Sequence, residues 1–281
     1  MAIPVLSNLE QLVAGFLLIL ALAIVAVRSK TIDISGALLG AVICFIVFLA
    51  GGFDWLVVII AFFVISSLFT RYRYNYKKNL GSAQEKGGVR SWPNTLSNGL
   101  VAGLAAIAEL ISHQDIFIIA FLAAVAAAMS DTIATEVGLL SYSKPRLLVN
   151  LKKFVQPGTS GGVSLLGELA GVASALGISL LGILLKIING TFGIILSGFL
   201  AVLLGAVISL NLDSLLGGTV QGVNRCQVCS EKTESLTHHG QPTVSEKGVR
   251  FLDNNAINLI TTIAAALLSI ILYLGFVSLI S

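Results

Sequence analysis

Two polar stretches interrupt an otherwise apolar chain and hold most of its chemically capable residues. The first, Ser130-Asp131-Thr132-Ile133-Ala134-Thr135-Glu136-Val137-Gly138, closes a hydrophobic run. The second, Val155-Gln156-Pro157-Gly158-Thr159-Ser160-Gly161-Gly162-Val163-Ser164, follows a basic linker and precedes the next run. Carboxylates near the hydrocarbon region are costly and mark function by default. Clustered glycines expose backbone N–H groups and let a bulky anion come close. Where a helix begins just after them, as expected after Gly161 and Gly162, they form a seat for phosphate. The pair of stretches therefore predicts metal ligands beside a phosphate site. If the helix continued through Asp131, Asp131 and Thr135 would share a face and Glu136 would point well away. A single metal seeing both carboxylates then needs a break in the helix or a second ion.

Other positions add to this pattern. Asp213, in Asn211-Leu212-Asp213-Ser214-Leu215-Leu216-Gly217-Gly218-Thr219, again puts an acid, a hydroxyl and a glycine pair at the end of an apolar run. Lys86 and Arg90 flank Gly87-Gly88 before a span that opens with Asn94 and Asn98, four residues apart on one helix face. Arg suits the geometry of phosphate, and a helix cap at Asn94 is the competing reading. Gly248-Val249-Arg250 with Asn254 and Asn258 repeats that arrangement 160 residues later. Such a repeat is expected to bring two Arg/Asn sets to one site. Glu168, one turn into the following span, needs a partner: a loop cation or the site itself. Cys226, Cys229, His238 and His239 allow a zinc site. The Cys229–His238 spacing is shorter than that of familiar fingers, which favours an inert polar loop or a lid.

These residues must be positioned by membrane helices. Of 281 residues, 56% are hydrophobic and 11% charged, with a mean hydropathy of +0.95. That composition excludes a soluble globular domain and predicts an all-α, polytopic membrane bundle. Apolar runs at 9–27, 34–50, 53–70, 96–111, 116–129, 163–185, 192–210 and 257–280 give about eight transmembrane helices in a single domain spanning 1–281. The first run has no preceding Lys or Arg and reads as a span, not a cleaved signal. Every one of the 17 Lys and Arg except Lys186 falls in the odd-numbered loops. By the positive-inside rule those loops are cytoplasmic and both termini lie on the other side. Loops 71–93, 130–162 and 213–254 would then form a site face in the cytoplasm. No nucleic-acid signature is present.

The motifs at Ser130–Gly138, Pro157–Ser164 and Asp213–Gly217, with Leu252-Asp253-Asn254-Asn255, resemble the integral-membrane family that contains plant and cyanobacterial phytyl-phosphate kinase. The likeness runs from about Gly87 to the end. More distantly the chain is similar to phytol and dolichol kinases and to CDP-diacylglycerol synthases. The resemblance implies a CTP-dependent, Mg²⁺-requiring kinase that converts an isoprenoid monophosphate, phytyl or geranylgeranyl phosphate, to the diphosphate in a cell or thylakoid-type membrane. Asp131, Glu136 and Asp213 would be the metal ligands, with Arg90 beside the transferring phosphoryl group. Lys86, Asn94, Asn98, Gly158, Thr159, Ser160, Gly161, Gly162, Ser164, Arg250, Asn254 and Asn258 would line the nucleotide and phosphates. The alternatives are a cytidylyltransferase that forms a CDP-lipid and a transporter for a small anion. Homo-oligomerisation is left open.

Overall fold

The computed structural model describes residues 8–80, 85–188, 190–230, 232–233 and 235–280, with the side chains of Glu85, Lys86 and Lys232 outside that description. Among the described residues seven helices are long and apolar enough to cross a membrane. They are α1 (Leu9–Arg28), α2 (Ile34–Arg71), α4 (Trp92–Ser112), α5 (Asp115–Gly138), α6 (Leu165–Leu184), α7 (Phe192–Thr219) and α8 (Asn254–Ser278). A six-residue helix, α3 (Tyr74–Asn79), lies between α2 and α4.

The predicted eight runs and the seven helices are reconciled at Gly52. A straight helix of 38 residues would measure ~57 Å, nearly twice the hydrocarbon thickness. Gly52 instead adopts φ 62 and ψ −150, a conformation open in practice only to glycine. The guanidinium of Arg71, the last residue of α2, donates to the carbonyl of Ser29, just ahead of its first residue. The two ends of α2 therefore lie together, and its arms, 34–51 and 53–71, form a helical hairpin. Trp55 occupies the space a side chain on Gly51 would need, and the rings of Phe48 and Phe53 meet edge-on at 5.1 Å across the bend.

Helix α5 is the centre of the bundle. Every residue from 119 to 130 is buried, six of the twelve being alanine, so neighbouring helices approach on all sides. Its seam with α6 is close-packed, backbone against backbone. A Cβ on Gly167 would lie 2.7 Å from the Ala134 carbonyl, and one on Gly171 3.2 Å from the carbonyl of Ser130. The Ser130 hydroxyl closes the seam by donating to Gly171 O at 2.6 Å. Helix α1 is at the periphery, packed on α2.

The inter-helix segments at one end of the bundle carry short strands that composition did not predict. Strands β1 (Arg146–Leu147), β2 (Asn150–Phe154) and β3 (Gly162–Val163) form an antiparallel sheet in the order β2-β1-β3. Beyond α7, β4 (Val223–Arg225) lies between β5 (Lys232–Thr233) and β8 (Val244–Lys247), while β6 (Thr237–His238) pairs with β7 (Gln241–Pro242). The helices also outrun their apolar cores. α5 continues to Gly138 and α7 to Thr219, so Asp131, Glu136 and Asp213 stand on helices, not in the loops expected to begin near 130 and 213.

Candidate active site

Asp131 and Thr135 lie on one face of α5 and open onto a polar cavity of about 170 Å³. Asp213 and Ser214 line it from α7, Ser164 and Glu168 from the start of α6, and Asn254 from the start of α8. The loop residues Gly158, Thr159, Ser160, Gly161 and Gly162 complete the wall. Three carboxylates thus converge from three helices. Close approach along the α5–α6 seam brings Asp131 and Glu168 to the same space.

The glycine loop is shaped by two successive turns. Thr159 N–H donates to Gln156 O at 3.1 Å, and Gly162 N–H donates to Thr159 O at 2.8 Å. The Thr159 and Gly162 amides are therefore taken up inside the loop, and Gly158, Ser160 and Gly161 line the cavity beside them. Gly158 and Gly161 have φ of +79 and +76, the left-handed region that glycine adopts without strain. Gly161 has a second reason to be glycine: a Cβ there would sit 2.4 Å from Gly218 Cα. The loop is thereby seated backbone-to-backbone on the end of α7. Ser164 caps α6, its hydroxyl accepting from Gly167 N–H at 3.1 Å, so the positive end of the α6 dipole borders the cavity.

Asp213 is held from α8. Thr261 Oγ1 donates to Asp213 Oδ2 at 3.4 Å. In the amide orientation that satisfies its neighbours, Asn258 donates to the same oxygen at 3.3 Å and to Asn254 O at 3.1 Å. Asn254 thus lines the cavity while Asn258 fixes a carboxylate from behind.

Glu136 does not join this group. It is buried on another side of α5, where Lys77 of α3 donates to its Oε2 at 2.5 Å. Lys77 Nζ also donates to the carbonyls of Phe69 and Thr70 at 2.8 and 3.0 Å. The continuous α5 explains this directly, because five residues of helix place Glu136 well around the axis from Asp131. Sequence reasoning left Lys77 among the solvated loop cations; nothing local to its sequence marks it as buried.

The Arg90 group lies elsewhere as well. Arg90, Asn94 and Asn98 line a second cavity of about 300 Å³, walled by α1, α2 and the start of α4. Its upper end carries Ser29, Thr31, Arg71 and Arg90; below, it is apolar down to Ile19. Arg90 is buried, with its guanidinium 5.6 and 5.8 Å from the ring centres of Phe62 and Phe63. Burial pulls its pKa down to about 10, opposed by the Glu136 carboxylate, so it is a cation at neutral pH. The two halves of the sequence repeat therefore line different cavities: Asn94 and Asn98 the apolar one, Asn254 the polar one. Arg250 is exposed and lines neither. The Lys86 side chain lies outside the described residues.

The polar cavity is also lined by Thr135, Glu168 and Gln221, which were not among the predicted site residues. Thr135 was expected on the Asp131 face and Glu168 gave a signal as an acid one turn inside a span, whereas Gln221 gave none.

The family model described as integral membrane protein DUF92 matches residues 17–266. An uncharacterized membrane protein of Methanocaldococcus jannaschii is 29% identical over 273 residues, 97% of this chain and 99% of that one. Protein PGR of Arabidopsis thaliana is 28% identical over 270 residues, covering 88% and 92% of the two chains. The chloroplastic protein VTE6 of the same plant is 27% identical over 140 residues, 46% of this chain and 42% of its own. No solved structure matches the chain.

Proposed function

This chain belongs to the DUF92 family of integral membrane proteins, and from that premise we propose that it is a membrane kinase acting on an isoprenoid monophosphate. The observation that carries the reading is the convergence of Asp131, Glu168 and Asp213, from three helices, on a cavity walled by an amide-rich glycine loop. The match to VTE6 and the motif likeness to phytyl-phosphate kinase support the same class of reaction.

The donor set suits magnesium: hard carboxylate oxygens, with the Asn254 side chain beside them, in a space that leaves volume for water and phosphate. Asp131 and Asp213, with Glu168 in place of Glu136, would hold it. The ion would supply charge neutralisation on the phosphates of a nucleoside triphosphate, CTP in our reading. Amides of Gly158, Ser160 and Gly161 would bind the anionic oxygens, and the N-terminus of α6 would add its partial positive charge. Thr261 and Asn258 hold Asp213 in one orientation, which reduces reorganisation during transfer. An acceptor monophosphate is already ionised, so its oxygen attacks the γ-phosphorus without a strong general base, and the nucleoside diphosphate leaves. Catalysis is then positioning and charge stabilisation.

The second cavity suits the acceptor. Arg71 and Arg90 at its head match a phosphate, and the apolar walls beneath match a prenyl chain. Asp131 faces the polar cavity, while Glu136, on another side of α5, acts electrostatically on Arg90 of the second cavity. By the positive-inside rule this end of the bundle would face the cytoplasm.

The test is purified protein with CTP, Mg²⁺ and phytyl or geranylgeranyl monophosphate. Release of CDP with formation of the prenyl diphosphate is expected, and Asp131→Ala should abolish it while the protein still folds. Release of pyrophosphate with a CDP-lipid product would overturn the kinase in favour of a cytidylyltransferase.

A further inference from the structure

The segment joining α7 to α8 folds into a small cap of its own, and one corner of it gathers four soft or borderline metal donors. Cys226 follows β4 directly and is buried, while Cys229 is exposed three residues later. The turn between them is closed by Ser230 N–H donating to Cys226 O at 3.0 Å. The amide of Val228 points at the Cys226 sulfur, 3.3 Å away, an arrangement that favours a thiolate.

The hairpin of β6 and β7 brings the histidines over these sulfurs. Its two connecting residues, His239 and Gly240, have φ of 52 and 71, the pair of positive values that a tight two-residue hairpin turn requires. The turn leaves the rings of His238 and His239 4.3 Å apart. His238 Nδ1 lies 3.6 Å from Cys229 Sγ. One donor atom from each of Cys226, Cys229, His238 and His239 falls within 4.8 Å of all the others.

Those distances are close to those of a tetrahedral metal site. With metal–sulfur bonds of about 2.3 Å and metal–nitrogen bonds of about 2.0 Å, the ligand-to-ligand edges are roughly 3.3–3.8 Å. The Cys229–His238 edge is already at that length, and the widest separation exceeds it by only ~1 Å. Spacing alone argued against zinc because Cys229 and His238 are close in sequence. The hairpin supplies the reversal that a long finger helix supplies elsewhere.

We propose that Cys226, Cys229, His238 and His239 form a structural zinc site. Two thiolates and two imidazoles make a closed set with no position for substrate, and none of the four lines the polar cavity. The metal ties the 226–229 turn to the β6–β7 hairpin. The same cap holds the chain leaving α7 against the chain entering α8. Val249 N–H donates to Val220 O at 2.8 Å, Gly222 N–H to Leu252 O at 2.8 Å, and Lys247 Nζ to Gly218 O at 2.6 Å. Gln221 and Asn254, both in the cavity wall, sit at the ends of these segments. Zinc would brace that wall from outside.

The experiment is metal analysis of the full-length protein purified in detergent without chelators. About one zinc per chain is expected, as for a folding-coupled site. Cys226→Ser and Cys229→Ser should each lose it, and Cys44→Ser, at a membrane-buried thiol, should keep it. Cobalt exchanged into the wild type should give the absorption of tetrahedral sulfur–nitrogen ligation. Cys229 should resist alkylation until a chelator is added, and protease should then cut the 223–247 segment faster. Misfolded variants are recognised by loss of a monodisperse elution, and the cobalt and alkylation readouts need only the wild type. Wild-type protein that holds no more zinc than the Cys226→Ser/Cys229→Ser double variant after reloading, or that carries a Cys226–Cys229 disulfide, would overturn the proposal. None of these readouts depends on kinase activity, so the two proposals fail separately.

Discussion

The polar cavity and the apolar groove sit at the same end of one bundle and are built from opposite materials. The first gathers carboxylates, hydroxyls and glycines from α5, α6, α7 and α8. The second sets arginines and asparagines above aliphatic and aromatic walls from α1, α2 and α4. One collects negative side chains and can hold phosphate only through a cation and backbone amides; the other meets an anion with guanidinium directly. The contrast teaches that two phosphorylated ligands can be told apart before any detail of their shape is read. A polyphosphate that arrives with its own metal suits the acids, and a metal-free lipid phosphate suits the arginines.

The Lys77–Glu136 pair lies between the regions and gives the largest expected effect. Lys77→Met leaves Glu136 buried and unpaired and should cost ~3–5 kcal/mol of stability, read from reversible unfolding in mixed micelles. The double variant Lys77→Met/Glu136→Leu should recover most of that loss and keep its turnover. A double variant that is stable but inactive would return Glu136 to the site and erase the boundary between the two regions. Next comes Asp131→Asn, which keeps the shape of the polar cavity and removes a charge. A fall in kcat of ~10²–10³-fold is expected with little change in apparent affinity for the lipid. A change confined to lipid KM would mean that the two cavities have been assigned the wrong ligands.

Gly161→Ala tests the loop's seat on α7. Its cost should be ~1–3 kcal/mol from the positive φ, with an added term from the contact at Gly218. Gly87→Ala is the comparison, since Gly87 has φ +74 but nothing within 4 Å of a new Cβ. Equal losses at the two positions would show that the backbone contact contributes nothing. The smallest effect is expected in the groove. Arg90→Lys keeps a cation but loses the planar fork, and KM for the lipid phosphate should rise about tenfold, ~1.4 kcal/mol, with kcat held. An equal effect on nucleotide KM would merge the two regions into one.

The polar region was more legible than the apolar one, for a physical reason. Asp131, Asp213 and the Gly158–Gly162 loop stand out because acids and glycine clusters are rare in a chain of this composition. Their meeting could be argued from the end of the bundle they share. Arg90, Asn94 and Asn98 were recognised as a group but sent to the wrong cavity. The resemblance to Arg250, Asn254 and Asn258 is local, whereas the cavity each set faces depends on which helices pack beside it. Lys77 and Gly52 show the same limit. A buried lysine and a reversal inside an apolar run are set by partners 59 residues away and by a single dihedral, respectively. The zinc-type cluster was discounted on spacing because a two-residue hairpin turn was not foreseen between His238 and Gln241.

Along the α5–α6 seam, Ser130 faces Gly171, Ala134 faces Gly167, and Gly138 faces Ser164 and Gly167. Sliding one helix past the other by a single residue would put Leu166 or Val172 where only hydrogen atoms fit. The seam is therefore a vernier with one setting, and the offset between Asp131 and Glu168 is graduated into the backbone. A ligand can turn the two carboxylates about their side-chain bonds, but the backbone offset that carries them is fixed by the seam.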